Sequence, residues 1–285
     1  MVLQFIKKME VHQVTFRNGP TVLALGQGTY RMGKTIGNRS EEINALRTGI
    51  DLGMQVIDTA EFYHNEEMIG DAIQGARDKV FLVSKVHPSN ATRQRTLISS
   101  CERSLKKLKT NVLDLYLLHW EGNSSFEETV SAMVKLRQDG KIKLWGVSNM
   151  DVAEMERFFA IPGGETCAAN QVAYNIETRG TEFDLLPWCN GRNVVFMAYS
   201  PLGEGDLIRN RTLKEIGKRH NATAAQIALA WSVRWPNILS IPKAGSVNHV
   251  EENFKSLSIR FTDEDIIAID KVFPPPTRKM PFAGW

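Results

Sequence analysis

The feature that most constrains the fold is a rhythm: short, nearly continuous apolar runs alternate with amphipathic helical stretches eight times along the chain. VLALGQGTY is followed by SEEINALRTGIDLG, VIDTA by NEEMIGDAIQGA, VFLVSK by TRQRTLISSCERSLKKLK, and VLDLYLLHW by SFEETVSAMVKLRQDG. LWGVSN, CAANQVAYN, VVFMAYSPL and ILSIPKA each lead into a further helical pattern. Strands with so little polar alternation are expected where both faces of a parallel sheet are covered. Eight strand–helix units in 285 residues predict an α/β fold of the (β/α)8 TIM-barrel type rather than an open sheet. Ahead of the repeats, VHQVTF-RNGP-TVLALG predicts an N-terminal hairpin turning at Asn18-Gly19. Behind them, TDEDIIAIDKVF predicts an extra C-terminal helix. The tail PPPTRKMPFAGW is expected to be irregular and to drape over the barrel mouth, and segment 178–192 to hold an irregular helix. Ser40 with Glu42, and Asp151 with Glu154, predict helix N-termini with acidic first turns. No low-complexity linker interrupts the pattern, so residues 1–285 are expected to form one domain.

Composition narrows the function. A net charge of +3, with the basic residues dispersed, gives no footprint for nucleic acid or a membrane surface. The densest basic knot, Lys106, Lys107 and Lys109, falls on a predicted helix and reads as a solvated face. No apolar run is long enough for a membrane span, and MVLQFIKKMEVH lacks the apolar core of a signal peptide. Cys101, Cys167 and Cys189 are odd in number and lack metal-ligand spacing, so a reducing cytoplasmic location and no structural metal are expected. A monomer or weak oligomer is expected.

The candidate chemistry lies at the ends of consecutive strands. Asp58 sits in VIDTA with Tyr63 just beyond it, Lys85 closes VFLVSK, and His119 nearly closes VLDLYLLHW. Ionisable groups at the C-terminal ends of barrel strands converge on one mouth, where barrel active sites lie. A free tyrosine, with a pKa of about 10, is a weak acid at neutral pH. A neighbouring lysine ammonium favours tyrosinate and is expected to lower that value, with Asp58 holding the ammonium in place. A neutral His119 can hydrogen-bond a carbonyl oxygen and orient it. Together these groups can give a proton to a developing alkoxide, which is half of a carbonyl reduction; the hydride must come from a cofactor.

In order along almost the whole chain, GQGTY, DTAEFYHNEEMIG, VSK, LLHW, WGVSN, NQVAYN, AYSPLG and IPKAGSVNHVEEN give it the look of an aldo-keto reductase. Among bacterial members it resembles the short, methylglyoxal-reductase-like type. The resemblance implies a nicotinamide cofactor extended across the barrel mouth, with Tyr63 as acid and Asp58, Lys85 and His119 in the roles argued above. Ser148, Asn149 and Gln171 offer amide and hydroxyl groups suited to a carboxamide, and in the family they hold the nicotinamide. Gly28, Thr29 and Tyr30 of GQGTY join Asp58 beside the cofactor, and Tyr199 is implied to stack on the ring.

No G-x-G-x-x-G follows a strand, so a Rossmann module is not indicated. Ser200, Leu202 and Gly203 instead begin a loop whose backbone amides could meet a pyrophosphate, with Gly205 helping it to close. The resemblance sets Lys243 against the adenosine 2′-phosphate and Glu252 and Asn253 against adenine. Two positions depart from the family: Ala244 where serine is frequent, and His249 where arginine is frequent. Arginine contacts phosphate with a permanent, bidentate charge that histidine lacks. NADPH is therefore expected to be preferred over NADH, but less sharply than in relatives with that arginine, so that NADH is accepted to some degree. Tyr30, Phe62, Tyr63, His119 and Trp120 are expected around the substrate, with His87, Trp285 and tail residues as further neighbours. A shallow aromatic pocket suits small or varied aldehydes, 2-oxoaldehydes such as methylglyoxal among them.

Two rival readings stand beside this one. Gly28 to Thr35 fits the P-loop pattern G-x-x-x-x-G-K-T letter for letter, with Lys34 in the phosphate-binding place. A P-loop must run straight into its helix, however, and Gly37-Asn38 interrupts here. A barrel that binds the nicotinamide cofactor as a non-catalytic sensor or scaffold subunit is the other alternative; it would have no use for the acid.

Overall fold

The structure, a computed structural model, describes residues 12–34 and 38–281. Strands β1 (Gln13–Thr15) and β2 (Thr21–Leu23) pair antiparallel, with Val14 opposite Val22. Asn18 takes a left-handed conformation in the turn between them, as expected there. Phe16 stacks on Phe81 at 4.6 Å between ring centroids, so the hairpin covers the end of the barrel opposite the mouth.

Eight parallel strands follow: β3 (Gln27–Gly28), β4 (Val56–Asp58), β5 (Phe81–Val86), β6 (Leu113–Leu118), β7 (Ile142–Ser148), β8 (Ala169–Ala173), β9 (Val195–Tyr199) and β10 (Ile238–Ser240). They neighbour one another in chain order, and parallel bridges Leu25↔Ser240 and Gly28↔Lys243 join the first to the last. The sheet therefore closes into the barrel that the eightfold rhythm predicts. At this seam a Cβ on Gly28 would stand 2.5 Å from the carbonyl oxygen of Ile241. Glycine is required there by backbone approach.

The helices between strands are α1 (Arg39–Asp51), α2 (Glu66–Ile73), α3 (Gln94–Lys107), α4 (Phe126–Gln138), α5 (Val152–Phe159) and α6 (Leu185–Arg192). Two helices, α7 (Arg211–Arg219) and α8 (Ala224–Ser232), follow β9; α9 (Val247–Lys255) and α10 (Asp263–Val272) follow β10. Asp151 and Glu154 form the expected capping box on α5. The other expected cap fails. Ser40 lies inside α1, which starts after Asn38, and the Glu42 carboxylate accepts the backbone N–H of Gly33 at 2.7 Å. Glu42 is drawn to the preceding loop rather than back to its own helix end. Segment 178–192 divides into a 3-10 turn (Gly180–Glu182) and the short helix α6.

Strand alternation sorts residues into two layers. Outward residues such as Leu82, Tyr116 and Leu118 pack under the helices. Inward residues such as Val56, Val83, Leu115, Leu117 and Met197 fill the interior. The same period of two carries Asp58, Lys85, Gln171 and Tyr199 to the top of the inward set, where the apolar filling stops.

The described part of the tail is irregular and passes the mouth on the side of β7 and β8. Lys279 lies 3.5 Å from Asp151 and 3.6 Å from Asp184 there.

Candidate active site

Three of the four expected polar residues meet in one hydrogen-bonded chain. Lys85 is fully buried and its ammonium has three hydrogens to place. They go to Asp58 Oδ2 at 2.6 Å, the Thr59 carbonyl at 3.0 Å and the Tyr63 hydroxyl oxygen at 3.2 Å. The Tyr63 oxygen thus accepts from Lys85, which leaves its own O–H to point elsewhere. Asp58 is satisfied on its other side by Gln171, whose Nε2 donates to Oδ1 at 2.7 Å. Donors thus meet both oxygens of the Asp58 carboxyl group. Burial works against the Lys85 ammonium, but the charge of Asp58 and the Tyr63 oxygen outweigh it and raise its pKa above the ordinary lysine value.

Tyr63 corrects one expectation. Burial raises its pKa above 10, and Lys85 offsets only part of that rise. Lys85 already has Asp58 as a partner, so the tyrosine faces a neutralised pair rather than a lone cation. Tyr63 is therefore a protonated phenol across the neutral range. His119 behaves as expected: burial, then Lys85 and His87, push its pKa down to about 2. A neutral imidazole at pH 7 can orient a substrate oxygen but has no spare proton to deliver. Its ring meets Tyr63 edge-on at 5.6 Å. Of the two candidate acids, the site leaves Tyr63.

Tyr63 ends a 3-10 turn (Glu61–Tyr63) directly after β4. Reading the sequence alone missed Glu61, which pins this turn. Its carboxylate accepts from the His87 backbone at 2.6 Å, from Asn90 Nδ2 at 3.0 Å and from the Ser100 hydroxyl. A glutamate between Asp58 and Tyr63 looks like a surface charge; only the tertiary contacts disclose its task.

Above the tetrad opens a cavity of about 720 Å³. Asp58, Tyr63 and His119 lie in its lining, while Lys85 is beneath them. Tyr30, Phe62 and Trp120 form an aromatic wall on one side. His87 packs edge-on to Trp120 at 4.7 Å, behind that wall rather than in the lining. No described tail residue lines the cavity, and Trp285 lies outside the described residues. Gly28, Thr29, Ser148, Asn149, Gln171 and Tyr199 line the centre. Ser148 donates to the Gln171 carbonyl at 2.8 Å, and Tyr199 donates to Asn149 Oδ1 at 2.9 Å. Asn149 and Ser200, which lie next to the ends of β7 and β9, both have positive φ, turning the chain away from the mouth.

On the far side, Ser200, Leu202 and Gly205 line the cavity; Gly203 belongs to the same loop without lining it. Arg31 and Glu204, on the loops after β3 and β9, approach to 3.6 Å across the opening. Lys243 lines both this cavity and a second one of about 600 Å³, where His249, Glu252 and Asn253 are found. The expected cofactor residues thus lie along one continuous trench.

The P-loop reading fails on geometry. Helix α1 begins only at Arg39, and the Gly33 amide that should face phosphate is bonded to a carboxylate. Among the described residues no cluster of His, Cys, Asp and Glu could hold a metal, and the three cysteines are buried and free. No helix among the described residues is long and apolar enough to cross a membrane.

A closed eight-stranded barrel with a Tyr–Lys–Asp chain and a neutral histidine at its mouth agrees with the comparisons. Residues 23–273 match the model of the Aldo/keto reductase family, and the chain belongs to that family. Methylglyoxal reductase YeaE of Escherichia coli (strain K12) is 46% identical over 95% of this chain and 98% of its own length. Glyoxal reductase of Bacillus subtilis (strain 168) is 33% identical over 90% of this chain and 91% of its own. Among solved structures, an aldo/keto reductase from Klebsiella pneumoniae in complex with NADP and acetate superposes with a TM-score of 0.93 at 43% identity, covering 96% of this chain and 99% of that one.

Proposed function

We propose that this chain reduces small aldehydes, 2-oxoaldehydes such as methylglyoxal among them, to alcohols with NADPH, and that Tyr63 gives the proton. One observation carries the assignment of the acid. The Tyr63 oxygen accepts from a buried Lys85 at 3.2 Å while Lys85 is held by Asp58 at 2.6 Å, beneath a cavity open to substrate. Relatives named methylglyoxal reductase and glyoxal reductase support the substrate class.

The residues present fit a dinucleotide. The trench runs from Tyr63 to Lys243 and into a second cavity rich in basic side chains, and its mid-section is a loop of positive-φ residues. Gln171, Ser148 and Asn149 would hold the carboxamide, Tyr199 the ring, Ser200 and Leu202 the pyrophosphate, and Lys243 the far phosphate, with Glu252 and Asn253 near adenine. When bound, NADPH supplies the hydride that no side chain can supply. His119 then orients the carbonyl oxygen, and the aromatic wall seats the rest of the aldehyde. Tyr63 gives its proton to the carbonyl oxygen as negative charge develops there. The phenolate left behind is stabilised by Lys85 until water returns a proton. The exposed flank at Tyr30 and Phe62 leaves room for varied aldehydes. NADH differs by one phosphate and would enter the same trench.

We take residues 1–285 as one domain, α10 as an addition outside the eight repeats, the protein as a monomer or weak oligomer, and its location as cytoplasmic. Tyr63→Phe keeps the ring packing and removes the proton. It should abolish carbonyl-dependent NADPH oxidation and leave NADP+ affinity within about twofold. Surviving turnover would show that another group is the acid. Unchanged turnover together with lost cofactor binding would overturn the arrangement as a whole.

A further inference from the structure

We infer that Asn175, the last residue of NQVAYN, is a positioning residue for the cofactor: it holds the loop after β9 in the shape that receives the pyrophosphate. This rests on the NADPH reading above and deepens it. Asn175 follows the end of β8 at Ala173, is 5% exposed and lines neither cavity. Its side-chain oxygen Oδ1 accepts from the backbone N–H groups of Glu177 and Thr178, both at 2.9 Å, which closes the turn after β8. Its Nδ2 donates to the Ser200 carbonyl at 3.0 Å, in the loop after β9. The amide has only one way round, because backbone N–H groups only donate and a carbonyl only accepts. Asn175 therefore joins one loop of the mouth to the next.

The loop it reaches needs holding. Ser200, Gly203, Glu204 and Gly205 have φ values of 50°, 55°, 54° and 104°. Glycine adopts such values freely and serine does not. The ring of Pro201 narrows the choices of Ser200 further. A residue in such a conformation persists only where its surroundings over-determine it. Here the Ser200 carbonyl is held by Asn175 Nδ2 and by the Gly203 amide, each at 3.0 Å. The turn that carries Asn175 is itself fixed. Tyr174 is fully buried and stacks on Trp231 at 5.3 Å between ring centroids. Its hydroxyl donates to Glu182 at 2.7 Å and accepts from Arg234, and its backbone N–H donates to the Tyr199 carbonyl at 3.2 Å. A rigid part of the barrel rim thus fixes Ser200 before a cofactor arrives. Ordering a loop during binding costs affinity, and a loop ordered beforehand avoids that loss. The side chain at position 175 should then govern the dissociation constant of the dinucleotide and leave proton transfer from Tyr63 alone.

The test uses Asn175→Ser and Asn175→Ala in the full chain. Serine keeps an acceptor for the turn amides, adds no charge and lacks the donor that reaches Ser200. Dissociation constants for NADP+ and 2′-AMP are measured by calorimetry, kcat and the KM for aldehyde at saturating NADPH, and amide hydrogen exchange in the cofactor-free protein. Asn175→Ser should weaken NADP+ about tenfold and keep 2′-AMP, which has no pyrophosphate, within about twofold. kcat should not fall, and the KM for aldehyde should stay unchanged. The Gly203 amide should exchange about tenfold faster while amides of the barrel strands keep their rates. Asn175→Ala should weaken NADP+ at least as much. Unchanged NADP+ affinity in both variants would overturn the assignment. Loss in the alanine variant alone would trace the effect to the turn after β8 and overturn the link to Ser200. Equal losses for NADP+ and 2′-AMP, or faster exchange throughout the barrel, would mark a general defect and overturn it too. If the unmutated protein failed to bind NADP+, the NADPH reading would fail first and the role of Asn175 with it. Should the alanine variant not fold, the serine variant, with its turn acceptor kept, still decides the matter.

Discussion

Replacing Lys85 by methionine separates what the buried cation does for stability from what it does for turnover. The Lys85 nitrogen stands 3.2 Å from the Tyr63 oxygen. With an effective dielectric constant of about 20, a full negative charge on that oxygen gains about 5 kcal/mol from the ammonium. If most of the charge has developed in the transition state, Lys85→Met should lower kcat roughly 10³- to 10⁴-fold. The same change leaves Asp58 as a buried carboxylate without its cation, a defect costing about 3–5 kcal/mol. A second substitution, Asp58→Asn, removes that charge. The double variant Lys85→Met/Asp58→Asn should regain most of the lost stability and none of the lost turnover. Urea unfolding reports the first quantity, and the decay of NADPH fluorescence with methylglyoxal the second. NADP+ affinity, measured separately, should remain close to normal for the single variant. A folded Lys85→Met protein with kcat within about tenfold of the original would refute the role given to the ammonium. Recovery of turnover in the double variant would refute it as well, because the defect would then be one of stability.

Other outcomes follow from the same geometry. Reduction needs Tyr63 protonated, and burial holds its pKa above 10, so kcat for reduction should be level from about pH 6 to 9 and fall only at higher pH; a descending limb near pH 7 would point to a different acid. His119 is held neutral in the folded state, down to about 2, whereas the unfolded chain protonates it near 6.5. The unfolded state therefore binds more protons between these values, and His119 should cost about 1.4 kcal/mol of stability per pH unit as pH falls below 6.5. Urea midpoints of His119→Asn against the unmutated protein at pH 7 and pH 5 isolate this contribution. Glu182 accepts from Arg179, Arg234 and Tyr174 in a largely buried network. Glu182→Ala should cost about 3–5 kcal/mol in unfolding free energy and leave the KM for aldehyde unchanged. Lys34→Ala should leave turnover unaltered and give no ATPase phenotype, since the Gly33 amide is already bonded to Glu42 and α1 begins only at Arg39.

The barrel was legible because its signal is repeated. A single apolar run could be a strand or a buried helix segment, but eight in alternation with amphipathic stretches admit few folds. Asp58, Lys85 and His119 were legible for a related reason, since polar groups that close apolar strands have one destination in a barrel. What stayed hidden was whatever depends on contacts between distant segments. Ser40 has the sequence pattern of a cap, yet a competing hydrogen bond from the Gly33 amide claims Glu42. Glu61 gives no periodic signal at all, although it ties the Tyr63 turn to β5 and α3. The direction of the Tyr63 shift could not be read from neighbouring residue types. It depends on how completely Asp58 neutralises Lys85 and on how dry the site is, and both are tertiary quantities.

This last point bears on why the site is built with a charge pair under the phenol instead of a lone lysine. An unpartnered ammonium at the depth of Lys85 would lose its proton, because burial penalises the charged form. Asp58 keeps it charged, at the cost of weakening its pull on Tyr63. The ground state is then a neutral phenol beside a balanced pair, stable and protonated through the neutral range. The balance changes only when the phenol releases its proton. The new negative charge lies on the oxygen that already accepts from Lys85, whereas the Asp58 carboxylate is held by Gln171 as well as by Lys85. Stabilisation by Lys85 is thus small before the reaction and large at the moment of proton transfer, which is the difference that accelerates a chemical step. Gln171→Leu tests this coupling. It removes the second donor to Asp58, which would let the carboxylate turn toward Lys85. At saturating cofactor kcat should then fall about tenfold, with the KM for aldehyde little changed. A fall confined to cofactor affinity would mean that Gln171 serves the nicotinamide alone.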